Sequence, residues 1–167
     1  MVSRCRPSGS TPILQLREGV LWPDPLKRPF RAVLFDWDGT AVEGRQQDAV
    51  DLAEGLSRLL DRGVTVVVIS GTHLGHLQRQ LLRFLRSGTL ENLFLCLNRG
   101  SEVYGFPSQG VLELLYRRNA TAEELDALDR SAMALKRILW EELHLSSELV
   151  LDRLNRRKVD LLPLPEW

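Results

Sequence analysis

The sequence predicts an α/β fold, a Rossmann-like doubly wound parallel sheet followed by part of an α+β unit. Three short apolar runs, at residues 32–35, 64–69 and 93–97, alternate with two amphipathic segments. Apolar runs without alternation are typical of strands covered on both faces, and a strand–helix–strand order requires right-handed crossovers. We therefore expect parallel strands with helices on both faces of the sheet.

The two amphipathic segments have recognisable helix signals. Apolar residues recur at helical spacing from 46 to 62, and Gly63 is placed to end that helix. A second helix is predicted at residues 75–86, with leucines and a phenylalanine on one face. Each predicted helix therefore connects two of the three strands.

A different pattern follows the third strand. Residues 103–116 predict one or two short strands, broken by Pro107 and Gly110. Thr121 and Glu124 have the spacing of a capping box and predict a long helix to about residue 143. Two more strands are predicted at 149–154 and 159–162, which together form an α+β insert.

Composition limits the function classes. The chain has 167 residues, 44% of them hydrophobic, and its 22 Lys and Arg balance 22 Asp and Glu. Net neutrality gives no support to a nucleic-acid binder, and no apolar run approaches the roughly 20 residues that span a bilayer. Only Cys5 and Cys96 are present, so no disulfide framework is expected. We expect a cytoplasmic protein without nucleic-acid or membrane partners; the sequence does not predict its oligomeric state.

The chain divides into three predicted segments. Residues 1–29 contain five of the eight prolines and little periodicity, so we expect them to be poorly ordered. Residues 30–105 form the predicted parallel core. Residues 106–167 form the predicted α+β insert.

Polar residues follow all three core strands. Asp36 and Asp38 end the first strand, Ser70, Gly71 and Thr72 follow the second, and Asn98 follows the third. Ligands of open parallel sheets bind at the carboxyl ends of the strands. Of two neighbouring carboxylates, one can attack a substrate while the other transfers a proton. The two carboxylates also repel each other, which favours binding of a divalent cation between them. Mg²⁺ is suited to such a site, because it binds oxygen ligands that include a phosphate. A hydroxyl and backbone N–H groups at 70–72 suit phosphoryl oxygens.

These strand ends resemble a known family. Residues 33–40 (VLFDWDGT) and 66–71 (VVVISG) resemble the first and second motifs of the haloacid dehalogenase superfamily of phosphotransferases. Residues 98–103 (NRGSEV) resemble the corresponding strand end of its large-cap members, such as sucrose- and trehalose-phosphate phosphatases and phosphomannomutases. The resemblance covers about residues 30–105. It implies that this segment is the amino-terminal part of the family's core and that 106–167 is part of a cap.

The resemblance also implies roles for the site residues. Asp36 would be the nucleophile that forms an aspartyl phosphate, and Asp38 the general acid and then the base. The Asp36 carboxylate and the Asp38 backbone carbonyl would hold Mg²⁺. Ser70 would hydrogen-bond the phosphoryl oxygens, with Gly71, Thr72 and Asn98 as further substrate-binding residues.

The predicted function is that of a magnesium-dependent phosphatase for a small phosphorylated metabolite, with a sugar phosphate as one candidate. Two alternatives stay open: a phosphomutase of the same superfamily, and a catalytically incomplete fragment that binds phosphate or a partner. The family's later Lys or Arg and its later acidic motif have no counterpart before Trp167. We therefore expect the amino-terminal part of a longer phosphatase.

Several other residues have two interpretations. For the basic cluster, a solvated strand face or sheet edge is favoured over binding of a substrate anion; its members are Arg153, Arg156, Arg157 and Lys158. His73 and His76 are expected to border the site rather than bind zinc. Trp37 should pack away from the two aspartates, and Cys96 should be buried and inert.

Overall fold

The computed structural model describes residues 29–163 except 45, 87 and 109. The predicted poor order of the first segment therefore falls almost entirely outside the described residues. The helices and strands of the structure are, in chain order, β1 (Ala32–Asp36), α1 (Val50–Asp61), β2 (Thr65–Ile69), α2 (Leu74–Gln80), a short 3-10 helix (Leu82–Phe84), β3 (Leu93–Leu97), β4 (Glu102–Ser108), β5 (Val111–Arg117), α3 (Ala122–Glu141), β6 (Ser147–Arg153) and β7 (Arg156–Leu161). No helix in the described part of the chain is long and apolar enough to cross a bilayer.

Five strands form the main sheet, in the order β1-β2-β3-β4-β5. β1, β2 and β3 are parallel, whereas β4 and β5 are antiparallel to their neighbours. The register places Phe35 beside Val68 and Val68 beside Leu95. The predicted α/β class with a Rossmann-like core is confirmed.

Both helices of this core lie on one face of the sheet, whereas the sequence predicted helices on both faces. The backbone N–H of Ala49, just before α1, donates to the Gln80 carbonyl at the end of α2, and the N–H of Arg86 donates to Ser57 in α1. The strands follow one another across the sheet in chain order. Right-handed crossovers in one direction place successive helices on the same side.

The hydrophobic core fills the space between this face and the two helices. Its side chains come from alternate positions of β2 and β3 and from one stripe of each helix: Val66, Val68, Leu93, Leu95, Leu97, Ala53, Leu56, Leu60, Leu77 and Leu81. Alternation arises because successive strand residues point to opposite faces. The apolar runs thus contribute every second residue to this core.

The opposite face is more open than the sequence predicted. Leu34 in β1 is 61% exposed and Ile69 in β2 is 40% exposed, and both lie on the face away from Val66 and Val68. β1 is also an edge strand of the described sheet. The expectation of β1 covered on both faces is therefore not met by the described residues, because no helix packs on that side.

The second unit consists of α3 packed on the antiparallel β6–β7 pair. The predicted capping box is present: the Thr121 hydroxyl accepts from the Glu124 N–H, and the Glu124 carboxylate accepts from the Thr121 N–H. The sequence-based boundary at residue 105 falls inside β4, which continues with β5 in the main sheet. The α+β unit of the structure therefore begins at α3.

Candidate functional site

The ends of β1 and β2 are joined by side-chain and backbone contacts. The Ser70 hydroxyl donates to Asp38 Oδ2 at 2.8 Å, and the Trp37 N–H donates to the Ile69 carbonyl at 2.9 Å. Ser70 is completely buried, whereas Asp38 is exposed. The buried Ser70 hydroxyl therefore orients the exposed Asp38 carboxylate at the carboxyl ends of the strands.

The end of β3 joins the same cluster. The N–H of Asn98 donates to the Thr72 carbonyl at 2.9 Å, and the N–H of Arg99 donates to the Ser70 carbonyl at 3.2 Å. The Ser70 hydroxyl also accepts from the Thr72 N–H at 3.0 Å. The structure therefore brings Asp38, Ser70, Thr72 and Asn98 together, as parallel strand ends require.

The turn after β1 exposes both carboxylates. Gly39 has a φ of 81°, which favours glycine, and the N–H groups of Ala41 and Val42 both point to the Trp37 carbonyl. Thr40 Oγ1 donates to Asp36 Oδ2 at 3.3 Å. Within the described residues, neither Asp36 nor Asp38 has an ion-pair partner. Two uncompensated carboxylates lie at this turn.

Trp37 lies between the two aspartates in sequence, and its buried side chain holds the turn in place. It is fully buried, as predicted, and its indole N–H donates to Gln80 Oε1 at 2.8 Å. The Gln80 amide nitrogen in turn donates to the carbonyls of Gly44 and Gln47. These bonds hold Gly44 and Gln47 outside the helix, so α1 begins at Val50 instead of the predicted residue 46. The sequence analysis did not single out Gln80. It is the polar last residue of α2, and it comes directly after the apolar positions of that helix.

The turn after β3 has an unusual backbone. Asn98, Arg99 and Gly100 have φ values of 49°, 58° and 82°, three successive residues in the left-handed region. For Asn98 and Arg99 this conformation costs about 1–2 kcal/mol each. The bonds to the 70–72 segment hold it in place, and it positions the Arg99 side chain beside Gly71.

Gly71 is flanked by two arginine side chains. A methyl group at Gly71 would lie 3.7 Å from Arg99 Cγ and 3.7 Å from Arg156 Nη1, and Arg156 Nη2 donates to the Gly71 carbonyl at 2.9 Å. The N–H of Gly71 has no acceptor in the part of the chain that the structure describes. The segment after β2 therefore offers a free N–H beside two guanidinium groups.

A cleft of about 390 Å³ opens beside this cluster. It lies between the main sheet and the β6–β7 pair, and the side chains around it include those of His73, Asn98, Tyr104, Arg117 and Arg153. Its lining combines cationic, amide and phenol groups with the carboxylates of Glu102 and Asp152. This chemistry suits a small polar or anionic ligand.

Comparison with solved structures identifies the fold. No family model and no curated protein matches the sequence. A Plasmodium falciparum IMP-nucleotidase matches with a TM-score of 0.59 and 14% identity, over 80% of this chain and 36% of the nucleotidase. The IMP-bound, N-terminally truncated form of that enzyme matches with a TM-score of 0.57 and 13% identity, over 80% and 40%. The chain shares its fold with these nucleotidase structures.

The shared fold includes the region that carries the sequence motifs. Residues 33–40 and 66–71 occupy the ends of β1 and β2, where the polar cluster lies. The chain spans about two fifths of the length of these nucleotidases. The assignment to the large-cap branch stays a prediction.

A buried carboxylate that the sequence did not indicate supports the site. Glu102 is only 3% exposed and accepts from Arg117 Nε at 2.9 Å and from Asn98 Nδ2 at 2.5 Å. A buried charge is tolerated when it is paired and hydrogen-bonded. Burial, with Glu102 as a further cause, raises the pKa of the neighbouring Tyr104. Glu102 thus fixes the Asn98 amide at the wall of the cleft.

The basic cluster is divided between different environments. Arg157 pairs with Asp129 of α3, Lys158 with Asp160, and Arg153 lies 3.8 Å from Asp152 at the cleft. Arg156 reaches Gly71. The favoured interpretation, a solvated face or edge, describes Lys158, whereas Arg153 and Arg156 face the candidate site.

The two histidines are also separated. His73 is exposed at the cleft, as expected for a residue bordering the site, whereas His76 is a buried residue of α2 that lies near Gln80. Cys96 is partly buried in β3, and this burial raises the pKa of its thiol.

Proposed function

We propose that this chain belongs to a magnesium-dependent phosphatase that hydrolyses a small phosphorylated metabolite through an aspartyl phosphate on Asp36. The observation that carries the proposal is the hydrogen bond from buried Ser70 to Asp38, which joins the carboxylate pair to the segment with the free Gly71 N–H. Carboxylates, a hydroxyl donor and a backbone N–H at one strand end are the groups that phosphoryl transfer needs.

The donor set fits Mg²⁺. Asp36 and Asp38 are exposed and lack ion-pair partners among the described residues. Mg²⁺ is commonly bound by one or two carboxylates together with waters and substrate phosphates. The Asp36 carboxylate and the Asp38 backbone carbonyl would hold the ion, which would supply positive charge to the phosphoryl oxygens.

The proposed reaction has two steps. An Asp36 oxygen attacks phosphorus and the ester P–O bond breaks, while protonated Asp38 gives its proton to the leaving oxygen. Asp38, now a carboxylate, then takes a proton from a water molecule that attacks the aspartyl phosphate, releasing inorganic phosphate and the Asp36 carboxylate. Throughout, the Gly71 N–H donates to a phosphoryl oxygen, and the Ser70 hydroxyl, whose single proton goes to Asp38, orients that carboxylate.

The substrate class follows from the cleft. Its volume of about 390 Å³ suits a small ligand, and the cationic side chains Arg117 and Arg153 with the fixed Asn98 amide suit a polar leaving group. The fold match is to a nucleotidase whose structures contain IMP or ATP. A nucleotide or a sugar phosphate is therefore the proposed substrate.

A second candidate is a domain that binds phosphate without turning it over. The exposed face of β1 and the chain's span of about two fifths of the nucleotidases favour this candidate for the 167 residues alone. Phosphate binding without hydrolysis would distinguish it.

The test is magnesium-dependent release of phosphate from p-nitrophenyl phosphate. We expect turnover by the wild-type chain and none by Asp36→Asn, whereas Asp51→Asn, an exposed aspartate in the first turn of α1, should retain it. Equal turnover by Asp36→Asn would rule out the aspartyl phosphate. Phosphate binding without any turnover would select the second candidate.

A further inference from the structure

We propose that Gln80, the last residue of α2, is a positioning residue that holds the Asp36 and Asp38 carboxylates in place through the Trp37 side chain. The proposal rests on the proposed function, in which both carboxylates must keep one geometry. It adds to the site a residue from outside the strand ends.

The Gln80 side chain joins three groups of the segment that follows β1. Its Oε1 accepts from the Trp37 indole N–H at 2.8 Å, and its Nε2 donates to the carbonyls of Gly44 at 2.9 Å and Gln47 at 2.7 Å. The indole N–H can only donate and the carbonyls can only accept, so the three partners fix the orientation of the amide. Gln80 is 4% exposed and Trp37 is fully buried. Breaking these bonds is therefore costly, because water does not replace them.

Trp37 connects this amide with the two carboxylates. It lies between Asp36 and Asp38 in sequence, its own N–H donates to the Ile69 carbonyl at 2.9 Å, and its carbonyl accepts from the Ala41 N–H at 3.0 Å. A buried and hydrogen-bonded indole fixes the Cα position of Trp37. It thereby also fixes the points from which the two aspartate side chains start.

Asp36 in particular depends on this backbone. Both aspartates are exposed, and neighbouring carboxylates repel each other. Asp38 receives a 2.8 Å hydrogen bond from Ser70, whereas the bond from Thr40 to Asp36 is 3.3 Å, longer than the usual range of about 2.5–3.0 Å for O–H···O bonds. Side-chain contacts therefore hold Asp38 more firmly than Asp36, and the turn itself must place Asp36.

The helix that carries Gln80 also connects the two halves of the candidate site. α2 begins at Leu74, shortly after Ser70 and Gly71, and it ends at Gln80, which holds the turn after β1. An α-helix is a stiff element, because its N–H groups bond to carbonyls four residues earlier. One short helix thus connects the segment with the proposed phosphoryl donor to the turn with the carboxylates.

The test measures binding of Mg²⁺ alone by calorimetry, together with turnover of p-nitrophenyl phosphate. Gln80→Met keeps the length of the side chain but removes its donor and its acceptor. We expect Mg²⁺ affinity to fall about tenfold or more, and kcat to fall by a similar factor while KM stays within about twofold.

Two control variants separate positioning from stability. Ser57→Ala removes a buried hydroxyl whose hydrogen bonds are to Ala53 and Arg86, so it lowers stability without loosening the turn. Gln78→Met makes the same change as Gln80→Met at an exposed position of α2. Both controls should keep Mg²⁺ affinity and kcat within about twofold of wild type, because a residue that only stabilises the fold does not alter the site of the folded protein.

A double-mutant cycle tests the route through Trp37. Trp37→Phe removes the indole N–H, so adding Gln80→Met to it should lower Mg²⁺ affinity by less than about a further twofold. If the losses from the two substitutions simply multiply, Gln80 does not act through Trp37 and the proposal is wrong.

The outcomes also separate this inference from the proposed function. Wild-type Mg²⁺ affinity in Gln80→Met would overturn the role of Gln80, even if the wild-type chain hydrolyses p-nitrophenyl phosphate. Weaker Mg²⁺ binding in Gln80→Met, with no turnover by wild type, would support that role and contradict the proposed function. No Mg²⁺ binding by the folded wild-type chain would overturn both. Circular dichroism checks folding, and if Gln80→Met does not fold, wild-type Mg²⁺ affinity in Trp37→Phe would count against the proposal.

Discussion

Ser70 and Asp38 are connected by a 2.8 Å hydrogen bond across the ends of two parallel strands. The hydroxyl is buried and also accepts from the Thr72 N–H, so it has little freedom to rotate. One side chain therefore sets both the orientation of the Asp38 carboxylate and the shape of the segment that follows β2. The predictions below test this arrangement and the elements that support it.

Ser70→Ala should impair the site far more than the fold. It removes the donor that orients the Asp38 carboxylate, so we expect kcat/KM for p-nitrophenyl phosphate to fall about 100-fold. Ser57→Ala is the matched control, because Ser57 is also buried and bonded, to Ala53 and Arg86, but lies in α1. The control should lose about 1 kcal/mol of unfolding free energy and keep its kcat/KM. Similar kcat/KM in the two variants would argue against a role for the Ser70–Asp38 hydrogen bond in the reaction.

Gln80→Ala should destabilise the protein. It leaves the Trp37 indole N–H and the carbonyls of Gly44 and Gln47 without their side-chain partner. The buried indole N–H that loses its partner costs about 1–3 kcal/mol, whereas the carbonyls of the exposed residues Gly44 and Gln47 can bind water, so we expect a loss in this range in urea unfolding. Gln78→Ala, on the exposed side of the same helix, should change the unfolding free energy by less than about 0.5 kcal/mol. Equal urea midpoints for Gln80→Ala and Gln78→Ala would mean that the hydrogen bond between Gln80 and the Trp37 indole does not contribute to stability.

Tyr104 should titrate above the ordinary tyrosine range. Burial raises its pKa above the ordinary 10.0, Glu102 raises it further, and Arg117 partly opposes the rise. Because the folded-state pKa is the higher one, Tyr104 contributes stability that is present below pH 10 and is lost as the pH rises through the raised value. Absorbance at 295 nm in a Tyr116→Phe background isolates Tyr104, since the chain has two tyrosines.

The contribution of Glu102 can be separated in the same background. Glu102→Gln removes the neighbouring negative charge and should lower the Tyr104 pKa part of the way towards 10. Glu91→Gln, an exposed change outside the cleft, should leave the titration curve where it was. An unchanged curve in Glu102→Gln would show that burial alone raises the pKa.

Thr121→Ala should weaken the start of α3. The change removes the side-chain acceptor for the Glu124 N–H and half of the capping box. Loss of such a cap costs about 1 kcal/mol, which thermal unfolding monitored by circular dichroism can measure. Ser131→Ala, in an exposed middle turn of the same helix, is the control and should have a smaller effect. A larger loss of stability in Ser131→Ala than in Thr121→Ala would contradict the role of Thr121 as the N-cap of α3.

Local signals predicted most elements well. β3 was predicted at its observed bounds, and the α3 cap, the hairpin break near Gly110 and the end of α1 near Gly63 follow from single residues whose backbone or side-chain chemistry acts locally. The start of α1 was predicted four residues too early, because the bonds from Gln80 that hold Gly44 and Gln47 join distant parts of the chain. The same is true of Glu102, whose partners Asn98 and Arg117 meet only in the folded sheet.

The sequence by itself determined the α/β class and the polar residues at three strand ends, since hydrophobic periodicity and turn chemistry act over a few residues. Only the tertiary structure decided that both core helices share one face, that Leu34 is open on the other, and that Arg156 reaches Gly71. These depend on strand order and on contacts between residues far apart in the chain. Periodicity assigns a residue to a face of its own strand or helix, but it does not specify what packs against that face.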